Sequence, residues 1–182
     1  MSEAQIRDYV RSKGLHAQTL ERWLSWDRAD RDALCQLAVR LKIGENHLRD
    51  LMDWLEEIAL RDQSEIHTLL RDKVITEIES DPRFGRADKL KRIKEQVRRV
   101  RFPRLAQTED SIRARIQELK LHPEIKVTVP SGLEGGSLRV EFSASNREQL
   151  KNQVAKLAEA ADKDSLQEIF ALLAGRTTEG VL

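Results

Sequence analysis

The apolar residues of this chain keep a helical spacing as far as Leu119 and then change period. Ile125, Val127 and Val129 alternate with Lys126 and Thr128; after Pro130-Ser-Gly-Leu-Glu-Gly-Gly136, Leu138, Val140 and Phe142 alternate with Arg139 and Glu141. Alternation puts every second side chain on one face, so the two runs read as strands of a hairpin joined by a glycine-rich connection. A two-stranded hairpin with one apolar face is marginal by itself and needs helices over it. The sequence offers no third strand, so a symmetric partner that pairs the strand edges, or covers them with its last helices, would complete the sheet. The expected fold class is α+β, mostly α-helical. The expected subunit boundary is built from Leu138, Val140 and Phe142 with Leu150, Val154 and Leu157 of the following helix.

Upstream, residues 3–13 and 17–26 read as short helices separated by Gly14. Leu34, Leu37, Ala38 and Leu41 form an apolar stripe that breaks at Ile43-Gly44 and resumes at Leu48, Leu51, Met52, Leu55 and Ile58, which is the outline of a helix-turn-helix. One helix is expected over 63–80, stopped by Asp81-Pro82. Leu90, Ile93, Val97 and Val100 then give a narrow seam on a basic helix. Thr108, followed by Glu109 and Asp110, is expected to cap a helix through Ile112, Ile116 and Leu119. Ser145 with Glu148 has capping-box spacing and starts a helix with Leu150, Val154, Leu157 and Ala161 on one side. A last helix over 164–174 closes at Gly175. The expected organisation is a helical module over 1–82, a basic connecting helix over 83–104, an αββα dimerisation module over 105–175 and a tail over 176–182.

The net charge of +1 hides a segregation along the chain: residues 1–43 sum to +2, 44–82 to −7, 83–104 to +8 and 105–182 to −2. The lone cysteine, Cys35, rules out a disulfide framework or a cysteine zinc site and fits a reducing, cytoplasmic compartment. No run approaches the roughly 18 apolar residues that span a bilayer, so no membrane role is expected. His16, His47, His67 and His122 lack metal-ligand spacing. Gly132, Gly135 and Gly136 precede a strand and not a helix N-terminus, which suits a hairpin loop better than a phosphate cradle. With no nucleophile elbow or lysine-containing nucleotide loop, neither an enzyme nor a cofactor is expected. Trp23, Trp26 and Trp54 lie outside any basic cluster and read as core or interface anchors.

Two segments bear on nucleic acid. The second helix of the helix-turn-helix outline carries Glu45, Asp50, Asp53, Glu56 and Glu57 against Arg49, a charge balance that repels phosphates and suits packing or protein contact. The basic helix places Lys91, Arg92, Lys94, Arg98 and Arg99 on its outward arc, with Arg83, Arg86, Arg101 and Arg104 extending the charge. Such an arc tracks phosphates and releases counterions. The other reading is a solvated helix with Asp88–Arg92 and Glu95–Arg99 pairs that docks on the acidic 44–82 region.

Residues 104–157, RLAQTEDSIRARIQELKLHPEIKVTVPSGLEGGSLRVEFSASNREQLKNQVAKL, resemble the C-terminal dimerisation domain of the ParB family of chromosome and plasmid partition proteins. The likeness lies in the order helix, strand, glycine turn, strand, helix and in the phrase GGSLRVEFSASNREQL. The helix-turn-helix outline upstream follows the family's order as well. The resemblance implies a homodimer formed by strand and last-helix pairing that presents its upstream helices to DNA. It does not extend to the family's arginine-rich nucleotide-binding motifs and implies no nucleotide chemistry. The expected function is DNA binding of partition or nucleoid-associated type without catalysis. The alternative is a protein-interaction adaptor, with a partner on helices 44–82 and no nucleic-acid role.

Overall fold

The computed structural model describes residues 3–176, and its contacts divide the chain into two compact units, residues 1–102 and 103–182. The chain is α+β and mostly helical, with one two-stranded antiparallel sheet among the described residues.

In the first unit, α1 (Glu3–Lys13) and α2 (Ala17–Ser25) precede the pair α3 (Arg28–Leu41) and α4 (Glu45–Asp62). The pair forms because both apolar stripes are buried: Leu34, Leu37, Ala38 and Leu41 on α3, and Leu48, Leu51, Met52, Leu55 and Ile58 on α4. Lys42 takes a left-handed conformation (φ 55°, ψ 48°) that ends α3, and Ile43 is drawn fully into the core between the helices. The Tyr9 hydroxyl reaches this turn and lies 2.7 Å from the Ile43 carbonyl and 2.9 Å from that of Ala38. Trp23 is wholly buried, and Trp26 and Trp54 pack at the edge of the same core.

The single helix expected over 63–80 is instead two, α5 (Ile66–Leu70) and α6 (Lys73–Ser80). Asp72 accounts for the break, since its carboxylate accepts the Val74 N–H and caps α6. The basic helix α7 (Arg86–Arg101) belongs to this unit and packs on α3, α4 and α6, where the sequence had suggested a connecting segment. Its seam explains the placement: Ile93 and Val97 are buried in the common core, and Leu90 and Val100 pack against it.

The second unit holds α8 (Pro103–Glu118), β1 (Lys126–Thr128), β2 (Arg139–Glu141), α9 (Arg147–Ala161) and α10 (Asp164–Leu173), with a 3-10 turn at Ser131–Leu133 between the strands. The strands pair with Val127 opposite Val140, Lys126 opposite Glu141 and Thr128 opposite Arg139. The turn needs positive φ at Gly132, Gly135 and Gly136, which explains the glycine run. The helix expected to start at Thr108 begins five residues earlier, at Pro103, the proline occupying a first position that has no use for an N–H. Thr108 lies inside it, with its hydroxyl bonded 3.0 Å to the Arg104 carbonyl. The capping box is shifted by one residue: Asn146 accepts the Gln149 N–H, and the Gln149 side chain accepts the Ser145 N–H. The core is Ile112, Leu119, Leu121, Ile125, Ala160, Ile169 and Leu173, so α10 supplies much of what covers α8 and the sheet. The tail expected over 176–182 lies, beyond Arg176, outside the described residues.

Candidate functional site

Two surfaces follow from this architecture: the basic helix of the first unit and an apolar face of the second. Only part of the basic helix is available to an outside anion. Lys94 Nζ donates 2.6 Å to Asp50 of α4, lies 3.2 Å from His47 Nδ1 and sits 5.2 Å from the centre of the Trp54 ring; its side chain is 17% exposed. Arg101 closes a two-pronged pair with Glu57, 2.8 Å on one arm. Arg61, held by Asp62, donates to the carbonyls of Val100 (2.9 Å) and Arg101 (2.7 Å), where the helix leaves its last acceptors unsatisfied. The hydrogen bonds from Arg61 to Asp62 keep that carboxyl below the usual carboxylate range.

Arg98 is turned along its own helix to Glu95, 2.8 and 3.0 Å away, and Arg99 is half-buried. Of the five cations expected to face an anion, Lys91 and Arg92 are exposed, and Lys94 is spent on α4. Arg92 lies with its guanidinium carbon 3.9 Å from the centre of the Phe84 ring, in place of the expected pair with Asp88, and Arg83 meets the same ring at 5.6 Å. Arg83 is itself paired with Asp81, whose carboxyl it pulls down to about 2. Among the described residues no carboxylate lies within ion-pair distance of Arg86, Lys91 or Arg92. The outward charge is therefore concentrated on the first half of α7.

The acidic residues of α4 are the counterpart. Beyond Asp50 and Glu57, Asp53 and Glu56 both bind Arg22 of α2, at 2.6 Å and at 3.0 and 2.7 Å. Glu56 also accepts the Trp26 indole N–H at 2.6 Å, and Glu45 accepts the Thr19 hydroxyl at 2.5 Å and the His16 backbone N–H at 3.1 Å. Arg22, on which Asp53 and Glu56 converge, was missed from the sequence; a single arginine on a short helix gives no periodic signal. Its guanidinium is held far into the charged state by Glu56.

A cavity of about 320 Å³ lies between α3, α5 and α6, lined by Leu37, Arg40, Leu70, Arg71, Thr76 and Glu79. Burial pushes the Glu79 carboxyl up, against the opposing pull of Arg40 at 3.0 Å.

In the second unit the six residues expected at a subunit boundary divide into two sets. Leu138, Val140 and Leu157 are half-buried against the unit's own core. Phe142, Leu150 and Val154 are exposed, the last two at 45% and 51%. The helix is rotated from the expected stripe: α9 turns Gln153, Leu157 and Ala160 inward, and Gln153 is buried with its Nε2 donating 3.1 Å to the Ser143 carbonyl. That bond fixes α9 to the end of β2 and leaves the Leu150–Val154 side facing out.

Among the described residues no helix is long and apolar enough to cross a membrane, and no three His, Cys, Asp or Glu side chains gather as metal ligands. Comparison with models of protein families, with curated proteins and with solved structures finds no match for this chain.

Proposed function

We propose that this is a self-associating binding protein, dimeric through its second unit, whose work is done by contact and not by catalysis. The observation that carries the reading is the open apolar face formed by Leu150 and Val154 on α9, with Phe142 just after a sheet of only two strands. Large apolar side chains kept together on one exposed helix face gain most from a second copy of the same surface. The ligand favoured for the first unit is DNA, held through phosphate contacts by Arg86, Lys91 and Arg92. The likeness to partition-protein dimerisation domains supports the same pairing of roles.

A second reading, a protein-interaction adaptor, is favoured by one specific feature. The Lys94–Asp50 and Arg101–Glu57 pairs dock α7 on the acidic helix, so part of the basic surface already has an internal partner.

Sedimentation of the full chain at tens of micromolar, an order-of-magnitude range set by ordinary interface affinities, tests the self-association. The wild type is expected to sediment as a dimer. Val154→Asp is expected to keep its helical spectrum and run as a monomer, because the position is half exposed within its own unit. A wild type that is monomeric at these concentrations overturns the reading.

A further inference from the structure

The outer edge of β1 borders a groove that neither binding role above uses. Ile116, Leu121, Ile125 and Val127 form its floor, Lys120, His122 and Lys126 stand on its rim, and its volume is about 600 Å³. β1 pairs with β2 along one edge, and among the described residues no backbone group bonds to the other. Lys120, His122 and Lys126 are exposed, and among the described residues none has a carboxylate within ion-pair distance. The acids closest in sequence and register are taken: Glu118 by Arg115 at 2.7 Å, Glu124 by Lys156, and Glu141, opposite Lys126, by Arg139 at 2.6 Å.

We propose that this groove binds an extended acidic peptide of a partner protein by strand addition to β1. Three features select that occupant together. A free strand edge supplies main-chain donors and acceptors to an extended chain. The apolar floor takes every second side chain of such a chain, and Lys120 and Lys126 take carboxylates on the alternate positions. Duplex DNA matches the cations but not the floor, and a second copy of this hairpin would bring its own Lys126 and Arg139 to the rim.

The test uses the full chain and a fluorescein-labelled peptide of alternating valine and glutamate, with a valine–lysine peptide as its control. The acidic peptide is expected to bind and to slow amide exchange at residues 126–129. Binding is expected to weaken about tenfold or more in K120E/K126E and by less in K120Q/K126Q, as like charges replace opposite ones at a rim. R86A/K91A/R92A is expected to bind as the wild type does. The proposal is overturned by equal binding of the lysine peptide, by bound acidic peptide without protection of β1, or by no binding up to millimolar peptide. It is equally overturned if duplex DNA displaces the peptide, or if K120E/K126E changes the sedimentation of the free protein, which would assign the edge to a second copy.

Discussion

The Tyr9 hydroxyl lies 2.7 Å from the carbonyl of Ile43, tying the first helix to the turn that sets α3 against α4. The phenol is buried, and burial pushes its ionisation up to about 12 from an ordinary 10.0. Tyr9→Phe leaves the Ile43 carbonyl without this donor and should cost about 1–3 kcal/mol, read from chemical denaturation at pH 7. The pH signature has a definite sign. A raised folded value means that the neutral phenol is the form the fold prefers, so its contribution is complete below pH 10 and is lost as pH climbs toward 12. The phenylalanine variant should lack that alkaline loss. Equal slopes for the two proteins between pH 10 and 12 would contradict it.

Glu79 gives a second titration, with the same sense. Burial raises its folded value above 4.5, so the protonated acid favours the fold, and the stability it brings is present below that pH and declines as pH rises through the raised value. Glu79→Gln imitates the neutral form. Thermal melts should show the variant at least as stable as the wild type at pH 7, the lost partner of Arg40 being a small term because that arginine is largely exposed. A loss of several degrees at pH 7 would show that the ion pair outweighs burial.

Lys94 and Asp50 form the contact between oppositely charged helices that is least open to solvent on the cation's side. Lys94→Met keeps the apolar stem and removes the charge, leaving Asp50 half exposed and able to turn to water. A double-mutant cycle with Asp50→Asn should give a coupling of about 1 kcal/mol at low salt, reduced in molar salt. No coupling at any salt would mean that this pair does not help to hold α7 on α4.

For DNA, titration at several salt concentrations separates the two functional readings. If Arg86, Lys91 and Arg92 contact phosphates, log affinity falls with log salt, and each alanine substitution flattens the slope by about 0.9. Lys94→Met should leave the slope unchanged, since its charge is already met by Asp50. Absence of binding at low salt would favour the adaptor.

Much of the fold was legible because burial leaves a periodic trace. Leu90, Ile93, Val97 and Val100 announced the inner side of α7, and Val127 and Val140 announced paired strands; all six lie where period and register put them. What failed was local competition between chemically similar groups. Asn146 took the cap from Ser145, and Asp72 cut one helix into two, each by a single hydrogen bond that composition does not rank. The orientation of α9 failed for a related reason. Leu150 and Val154 look like core, but Gln153 turns inward to bond the Ser143 carbonyl, and a buried glutamine cannot be read from an apolar stripe. On the basic helix, spacing identified the outward arc, but it could not say that Asp50 would claim Lys94 from a helix 44 positions away.

The guanidinium of Arg61 grips the last carbonyls of α7 while Glu57, one turn earlier on α4, grips Arg101. The last turn of α7 is therefore pinned from outside at the point where its own hydrogen bonds run out. Unravelling of the basic helix from that end has to break these bonds to α4 along with the helix's own last turn, so the terminus opens less readily than a free one.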